Sequence, residues 1–344
     1  MDKMKIGLVY NIPPCGKIPY SESSVDVMTQ VESVEYALKK LGYTASRIPF
    51  TKDVAMFLEQ IKVENPAMVF NLCETVDENA ALAGHPAAVF ELLGIPFTGS
   101  PSLSLMSTTD KVMAKRLLKG RGIATPEYFI YNGMEHFNAH ALRFPVIVKP
   151  RFEDASIGID QESVFESAVE LKSGLMDFYN CFGPLVVEEY IAGREFNVSV
   201  FGYPTLRVMP LAEIDFSKYS DNLYHIVGYR AKWDNRSFEY HNTPRKFTQS
   251  LPFPLKCEIK RIALECASLF MLRDYGRVDM RISDYGKVHV LEVNANPCLS
   301  PDAGFPASLE YAGIKYVPMV QSFLEFVTRR SRNGNQATRT SGQK

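Results

Sequence analysis

The first hundred residues alternate short apolar runs with longer stretches of helical spacing, and this alternation restricts the possible folds more than any other feature of the chain. Residues 6–10, 45–49 and 67–71 read as strands, and residues 25–41, stopped by Gly42, and 54–63 read as helices between them. A helical crossover returns the chain to the same end of a sheet, so strands joined this way lie parallel. A helix over 80–93, closed by Gly94, and a strand with a turn over 95–100 complete this unit.

Beyond residue 109 the pattern changes. A helix over 111–118 is followed by Gly120 and Gly122, then come a strand over 144–150, a loop over 151–159, a helix over 164–175, and strands over 185–191 and 196–200. This order describes a small α+β unit with boundaries near 122 and 193. The remainder has a hairpin, 277–282 with 288–293, whose turn is Ser283-Asp284-Tyr285-Gly286, and two amphipathic helices over 256–271 and 317–327. Residues 329–344 carry five basic side chains and no acid, which predicts a frayed tail.

Of the chain's 344 residues, 38 are basic and 39 acidic, so net charge offers nothing to nucleic acid or an anionic membrane. No apolar run approaches the ~18 residues of a spanning helix, and a cytoplasmic protein is expected. The six cysteines include no C-x-x-C pair, so reduced, mostly buried thiols are expected rather than a zinc knuckle or disulfide frame.

Three groups of residues carry chemistry. In the hairpin, alternation puts Arg277, Asp279 and Arg281 on one face and Glu292 and Asn294 on the facing strand, with Asp279 roughly opposite Glu292. Two carboxylates and an amide oxygen so placed repel unless a cation lies among them, and hard oxygens suit Mg²⁺ beside substrate phosphates; a solvated acidic face balanced by arginines is the alternative. Lys149 ends an apolar strand, where a charged head is disfavoured unless it meets an anion, and the loop after it is rich in small residues. Lys111 follows Asp110 at a helix start. Glu188 and Glu189 end another apolar strand and lead to Glu195. Neither the Walker-A pattern nor G-x-G-x-x-G occurs, so a nucleotide site here is of another kind.

In order and spacing these features resemble the ATP-grasp architecture, and within it the D-alanine–D-alanine ligase family, over about residues 5–328. The resemblance is carried by Phe70-Asn71-Leu72-Cys73-Glu74, Pro96-Phe97-Thr98-Gly99-Ser100, Asp110-Lys111, the 144–149 strand with Ser156-Ile157-Gly158-Ile159, the 187–195 segment, Tyr229-Arg230-Ala231-Lys232, and Gly276-Arg277-Val278-Asp279 with Glu292-Val293-Asn294. It implies an α/β (α+β) fold of three parts: an N-terminal parallel-sheet, substrate-side domain (1–121), a small central α+β ATP-grasp subdomain (122–193) and a C-terminal mixed-sheet catalytic subdomain (194–328). It also implies ATP and two Mg²⁺ ions, with Mn²⁺ admissible. Lys111 and Lys149 would bind phosphates, with Ser156 in the loop closing over them. Glu188 would meet the adenine amine, the Glu189–Ile191 backbone would form its hinge, and Glu195 would hold the ribose. Lys232 would reach the γ-phosphate or acyl phosphate, Arg277 would stabilise the oxyanion, and Asp279, Glu292 and Asn294 would bind metal. Small amino-acid or peptide-like substrates are implied, with no nucleic-acid or membrane partner, and a homodimer is compatible.

Departures from the family pattern concentrate on the substrate side. Residues 11–17 and Ser21-Glu22-Ser23-Ser24 replace its Gly- and Ser-rich loop, and residues 71–79 replace its His-Gly segment. Ala155 and Trp233 stand where a hydroxyl and a tyrosine close the flap, Cys298 where the family has glycine, and Ala303 near a position that supplies a hydroxyl. Glu22, Glu74 and Glu78 are candidates for the missing ammonium partner. The expectation is an ATP-dependent carboxylate–amine ligase with an altered acceptor site. The alternatives are a nucleotide-binding sensor or scaffold without catalysis, and an ATP-grasp enzyme of a nucleotide precursor.

Overall fold

The computed structural model describes residues 4–14, 16, 19–134, 142–247 and 251–341, with side chains of the last helix through Asn333; Cys15 and Lys17 of the expected substrate loop lie outside the described residues. Strand β1 (Lys5–Asn11), helix α1 (Ser21–Lys40), β2 (Thr44–Phe50), α2 (Val54–Glu64) and β3 (Met68–Leu72) form a parallel sheet of order β2-β1-β3. Helix α1 buries Val27, Val31, Val34 and Leu38, an apolar stripe at helical spacing, against it. The helix expected over 80–93 is broken. A 3-10 turn at Ala80–Leu82 precedes α3 (His85–Leu93), with Pro86 in its first turn, and at Gly84 an added Cβ would lie 2.5 Å from Met106 Cγ. The strand expected after it reduces to one parallel bridge, Val69 with Phe97. Helix α4 (Ser102–Thr109), absent from the sequence reading, is made largely of Ser and Thr, weak helix formers, and is held from outside, with Ser104 Oγ donating to the Met271 carbonyl at 3.0 Å. Helix α5 (Lys111–Gly120) follows, capped by Asp110.

The central unit is an antiparallel sheet of β4 (Tyr128–Tyr131), β5 (Val146–Pro150), β6 (Val164–Phe165) and β7 (Leu185–Glu189), order β4-β7-β5-β6, covered by α6 (Ala168–Phe182). The helix expected to start at 164 starts later because Val164 and Phe165 pair with β5 and the Ser167 hydroxyl accepts from the Glu170 N–H at 3.3 Å, setting the cap.

The third unit comprises β8 (Arg194–Gly202), β9 (Arg207–Val208), β10 (Ala212–Ile214), α7 (Tyr229–Trp233), α8 (Phe238–His241), β11 (Arg245–Phe247), α9 (Phe253–Leu269), β12 (Asp274–Ile282), β13 (Val288–Asn294), α10 (Gly304–Tyr311) and α11 (Tyr316–Ser341). Its sheet runs β11-β10-β8-β12-β13 with β9 beside β8, and every pairing is antiparallel, which corrects the mixed sheet expected: no helical crossover returns a strand of this sheet parallel to its neighbour. Helix α11 corrects the tail beginning at Arg329. Its buried stripe of Val320, Phe323, Leu324 and Val327 carries the helix forward to Arg330, which pairs with Asp274 at 2.6 Å and donates to the Phe97 carbonyl at 2.9 Å.

Among the described cysteines Cys73 and Cys266 are buried, Cys298 is half-buried, and Cys181 and Cys257 are exposed; all are free thiols, so the expectation of mostly buried ones fails. No described helix is long and apolar enough to cross a membrane.

Candidate active site

Sheet register brings the hairpin residues together as their alternation predicts: Asp279 pairs with Glu292, Arg277 with Asn294, and on the other side Asp279 pairs with Asn197 of β8. A bulge after Asp279 shifts the next pair to Met280 with Val290. Arg277 Nε and Nη2 hold the Asp279 carboxylate at 2.7 and 2.8 Å, Asn197 Nδ2 donates to it at 2.9 Å, and Asn294 Nδ2 donates to Glu292 at 3.1 Å and to Asp279 at 3.3 Å. Burial pushes the Asp279 carboxyl up. Burial pushes Glu292 up as well, but Lys111, Lys232 and Arg277 outweigh it and hold that carboxylate low. Two carboxylates and an amide are the hard donors that suit Mg²⁺ when phosphate oxygens complete the shell. No group of three His, Cys, Asp or Glu suited to a metal exists among the described residues, so an ion here would need those further oxygens.

This cluster lines one wall of a cavity of about 760 Å³, large enough for a drug-sized ligand, and the central sheet supplies the opposite wall. Ile147 and Lys149 share a face of β5, and Glu188 lies on the paired strand β7 opposite Ile147. Ile147, Ile191, Ile226 and Leu291 make part of the lining apolar. Glu195 also lines the cavity, with its carboxylate on Arg281, whose guanidinium also reaches the Ile191 carbonyl at 3.1 Å and the His225 carbonyl.

Several of the expected residues have partners within the protein. Glu188 is buried with its carboxylate between the ammonium groups of Lys149 and Lys115, a counter-charge the two lysines share. Burial pushes Glu188 up and Lys115 down, and their mutual attraction opposes both shifts, leaving Glu188 below the usual carboxylate range. The Glu189 side chain turns away to Arg143, and its N–H, with that of Tyr190, serves the Glu127 and Pro145 carbonyls. Lys111 does not line the cavity. It sits at the base of the flap, donating to the Glu153 carbonyl, with Asp154 Oδ1 at 3.9 Å. Ser156 and Lys232 line the cavity.

At the far end of the cavity, of the three glutamates considered, only Glu74 lines it. Glu22 accepts from the Tyr229 hydroxyl at 2.9 Å, and Glu78 is exposed. Gln30 Nε2 donates to Glu74 at 2.8 Å, and burial pushes that carboxyl up to about 7. Asp26 accepts from Cys298 Sγ at 3.0 Å and from Ser300 Oγ at 2.8 Å.

The sequence reading missed Asp26, Lys115, Asp154, Asn197 and Arg245. Lys115 had a usable signal, since it shares the buried stripe of α5 with Lys111 and Leu118 at spacings of four and three, where a lysine needs a partner. Arg245 lines the cavity and donates to the Asp302 carbonyl, and neither it nor Asp26 had such a signal, because Asp302 and Cys298 lie 57 and 272 residues away.

A family model described as D-ala D-ala ligase C-terminus matches residues 117–325. A D-alanine–D-alanine ligase of Carboxydothermus hydrogenoformans is 31% identical over 93% of this chain and 97% of its own. An uncharacterized protein of Sinorhizobium fredii is 30% identical over 87% of both chains. The crystal structure of the Bacillus anthracis D-alanine–D-alanine ligase complexed with ATP superposes with a TM-score of 0.75 at 26% identity, covering 97% of this chain and 100% of that one.

Proposed function

Because the chain belongs to the D-alanine–D-alanine ligase family and has its ATP-grasp fold, we propose that it is an ATP-dependent ligase that joins a carboxylate to an amine through an acyl phosphate, with an acceptor site of its own. The observation that carries this reading is the convergence of Asp279, Glu292 and Asn294 on the same cavity as Lys149 and Lys232. The ATP-bound structural relative supports the nucleotide assignment.

In this reading Lys149 holds the phosphates while Lys115 and Glu188 fix its ammonium group, Lys111 anchors the flap, and the apolar slot beside Ile191 receives the base. Arg281 holds the Glu195 carboxylate toward the ribose. Asp279, Glu292 and Asn294 would hold two Mg²⁺ ions, which when bound neutralise phosphate charge. A carboxylate is a poor electrophile. Its oxygen therefore takes the γ-phosphoryl group as ADP leaves, with Lys232 and Arg277 balancing charge on the transferred group. The amine nitrogen then attacks the acyl carbon, inorganic phosphate departs, and the C–N bond forms with loss of a proton. Glu74, with Asp26 beside it, receives the ammonium of the first amino acid, the role left vacant by the altered N-terminal loop. Little covalent work falls to the protein beyond positioning and water exclusion.

Incubation with Mg²⁺, ATP and pooled amino acids, with products weighed by mass spectrometry, tests this. An amide product with ADP released only when an amine is present is expected. Tight ATP binding with no ADP formed across the pool would instead indicate a sensor or scaffold.

A further inference from the structure

Trp233, the chain's single tryptophan, ends α7, a five-residue helix with no buried side chain and no side-chain cap at Gly228. So short a helix does not hold itself. It is held by Ser237 Oγ, which donates to the Arg230 carbonyl at 3.0 Å, by the Arg230–Glu239 ion pair at 3.4 Å to α8, and by the flap that follows Lys149. Tyr229 N–H donates to the Ile159 carbonyl at 2.7 Å, Arg230 N–H to Asp160 Oδ1 at 3.2 Å, and Trp233 Nε1 to the Ala155 carbonyl at 2.9 Å. In return Ser156 Oγ donates to the Val227 carbonyl at 2.7 Å. At Gly228 any Cβ would lie 2.5 Å from Asp160 Oδ1 and 2.7 Å from the Ile159 carbonyl, so the two segments touch backbone to backbone.

The flap itself resists this position. Ala155 and Ser156 are consecutive non-glycine residues with φ of 55° and 63°, a conformation that side chains bearing a Cβ take only when their surroundings impose it. The Trp233 and Ser156 hydrogen bonds fall on those same two residues. Closure is therefore imposed across the gap between flap and α7, and Lys232, adjacent to Trp233, lines the cavity beneath. A further tie reaches the N-terminal unit, where the Tyr229 hydroxyl donates to Glu22 and the Tyr20 ring meets the Tyr229 ring edge-on at 4.7 Å.

We propose that Trp233 is a positioning residue whose indole N–H, by clasping the Ala155 carbonyl, couples closure of the flap to placement of Lys232 and so keeps water from the acyl phosphate. The inference rests on the ligase reading above. It assigns to an indole and a backbone carbonyl the closing contact for which Ala155 and Trp233 lack the usual hydroxyls.

Trp233→Phe keeps a ring and loses the donor, and Trp233→Tyr returns a donor at the ring's end. In Trp233→Phe, calorimetry should show little change in affinity for adenylyl imidodiphosphate with Mg²⁺. Amide turnover should fall roughly 3- to 10-fold, the worth of one hydrogen bond. ADP released per amide formed should rise, and hydrogen exchange of the 153–159 backbone should quicken. Trp233→Tyr should recover part of the coupling, which a purely structural role would not produce. Wild-type coupling and exchange in Trp233→Phe overturn the clasp alone. Should that variant fail to fold, acrylamide quenching of the one tryptophan in the wild-type protein decides. Quenching reduced by the Mg²⁺ analogue complex supports the clasp, and unchanged quenching despite binding overturns it. A wild-type protein that does not bind the analogue overturns the nucleotide reading, and the clasp with it.

Discussion

The two ends of the cavity are built in different ways. At the phosphate end the charged groups stand on paired strands, so Lys149, Glu188, Asp279 and Glu292 inherit their spacing from sheet register. At the acceptor end they come from α1, from the segment after β3 and from the turn before α10, and they meet only through contacts such as Cys298 to Asp26, 272 residues apart. The first arrangement is charge-dense, and cations outweigh burial at Glu188 and Glu292 though not at Asp279. The second has a carboxyl, Glu74, whose partners are an amide and other acids, so burial dominates its protonation. In the ligase reading proposed above, this contrast lets one scaffold keep a nucleotide site while varying what it joins, since changes at the acceptor end disturb no sheet register.

The largest expected effect lies at the phosphate end. Glu188→Gln leaves Lys115 and Lys149 buried without their counter-charge, and loss of about 3 kcal/mol or more of stability should be seen by calorimetric melting. An unchanged melting temperature would mean the lysine pair does not depend on Glu188. Next, Glu292→Gln should lower kcat by on the order of 100-fold through loss of a metal ligand while the protein stays folded. Full turnover in that variant would remove the metal assignment.

At the acceptor end the effects are smaller and confined to one substrate. Glu74→Gln should raise KM for the first amino acid by about 10-fold, the worth of one charge-assisted hydrogen bond, and leave KM for ATP alone. If KM for ATP rises instead, the two ends are not separable. With Asp26, Asp154 and Gln30 facing it, Glu74 is charged only above about pH 7. An ammonium is held by the charged form, so KM for that amino acid should fall as pH rises through about 7 and then level. Stability runs the opposite way. A carboxyl raised in the fold contributes stability below its unfolded pKa of about 4.3, and that contribution is lost as pH rises through about 7. Glu74→Gln should flatten both profiles. The smallest effect is expected where the two ends meet, at the flap. Ala155→Gly relieves a positive φ and should raise stability by about 0.5 kcal/mol, read by denaturant unfolding. A marked destabilisation would show that the left-handed turn carries no strain.

Much of the fold could be read directly from residue pattern. The parallel sheet follows from strand–helix alternation, and its register bears this out. Elements of poor local propensity escaped, as α4 did with its run of Ser and Thr, because neighbours rather than intrinsic preference make them helical. The same division runs through the site. The facing of Asp279 and Glu292 is set by the two-residue period of strands and a short turn, quantities local to the fourteen residues from one to the other.

Covalent geometry thus carries as far as a hairpin or a helical turn, and within that range the sequence by itself determined which carboxylates face one another and that the chain begins with a parallel sheet. Tertiary packing alone decided that Glu188 sits between Lys115 and Lys149, that Glu22 serves Tyr229 while Glu74 faces the cavity, and that the Trp233 indole donates to the Ala155 carbonyl. Those pairings depend on how separate units dock, and buried charge then takes whichever partner the docking brings within reach, because leaving it unpaired costs more than any local preference can repay.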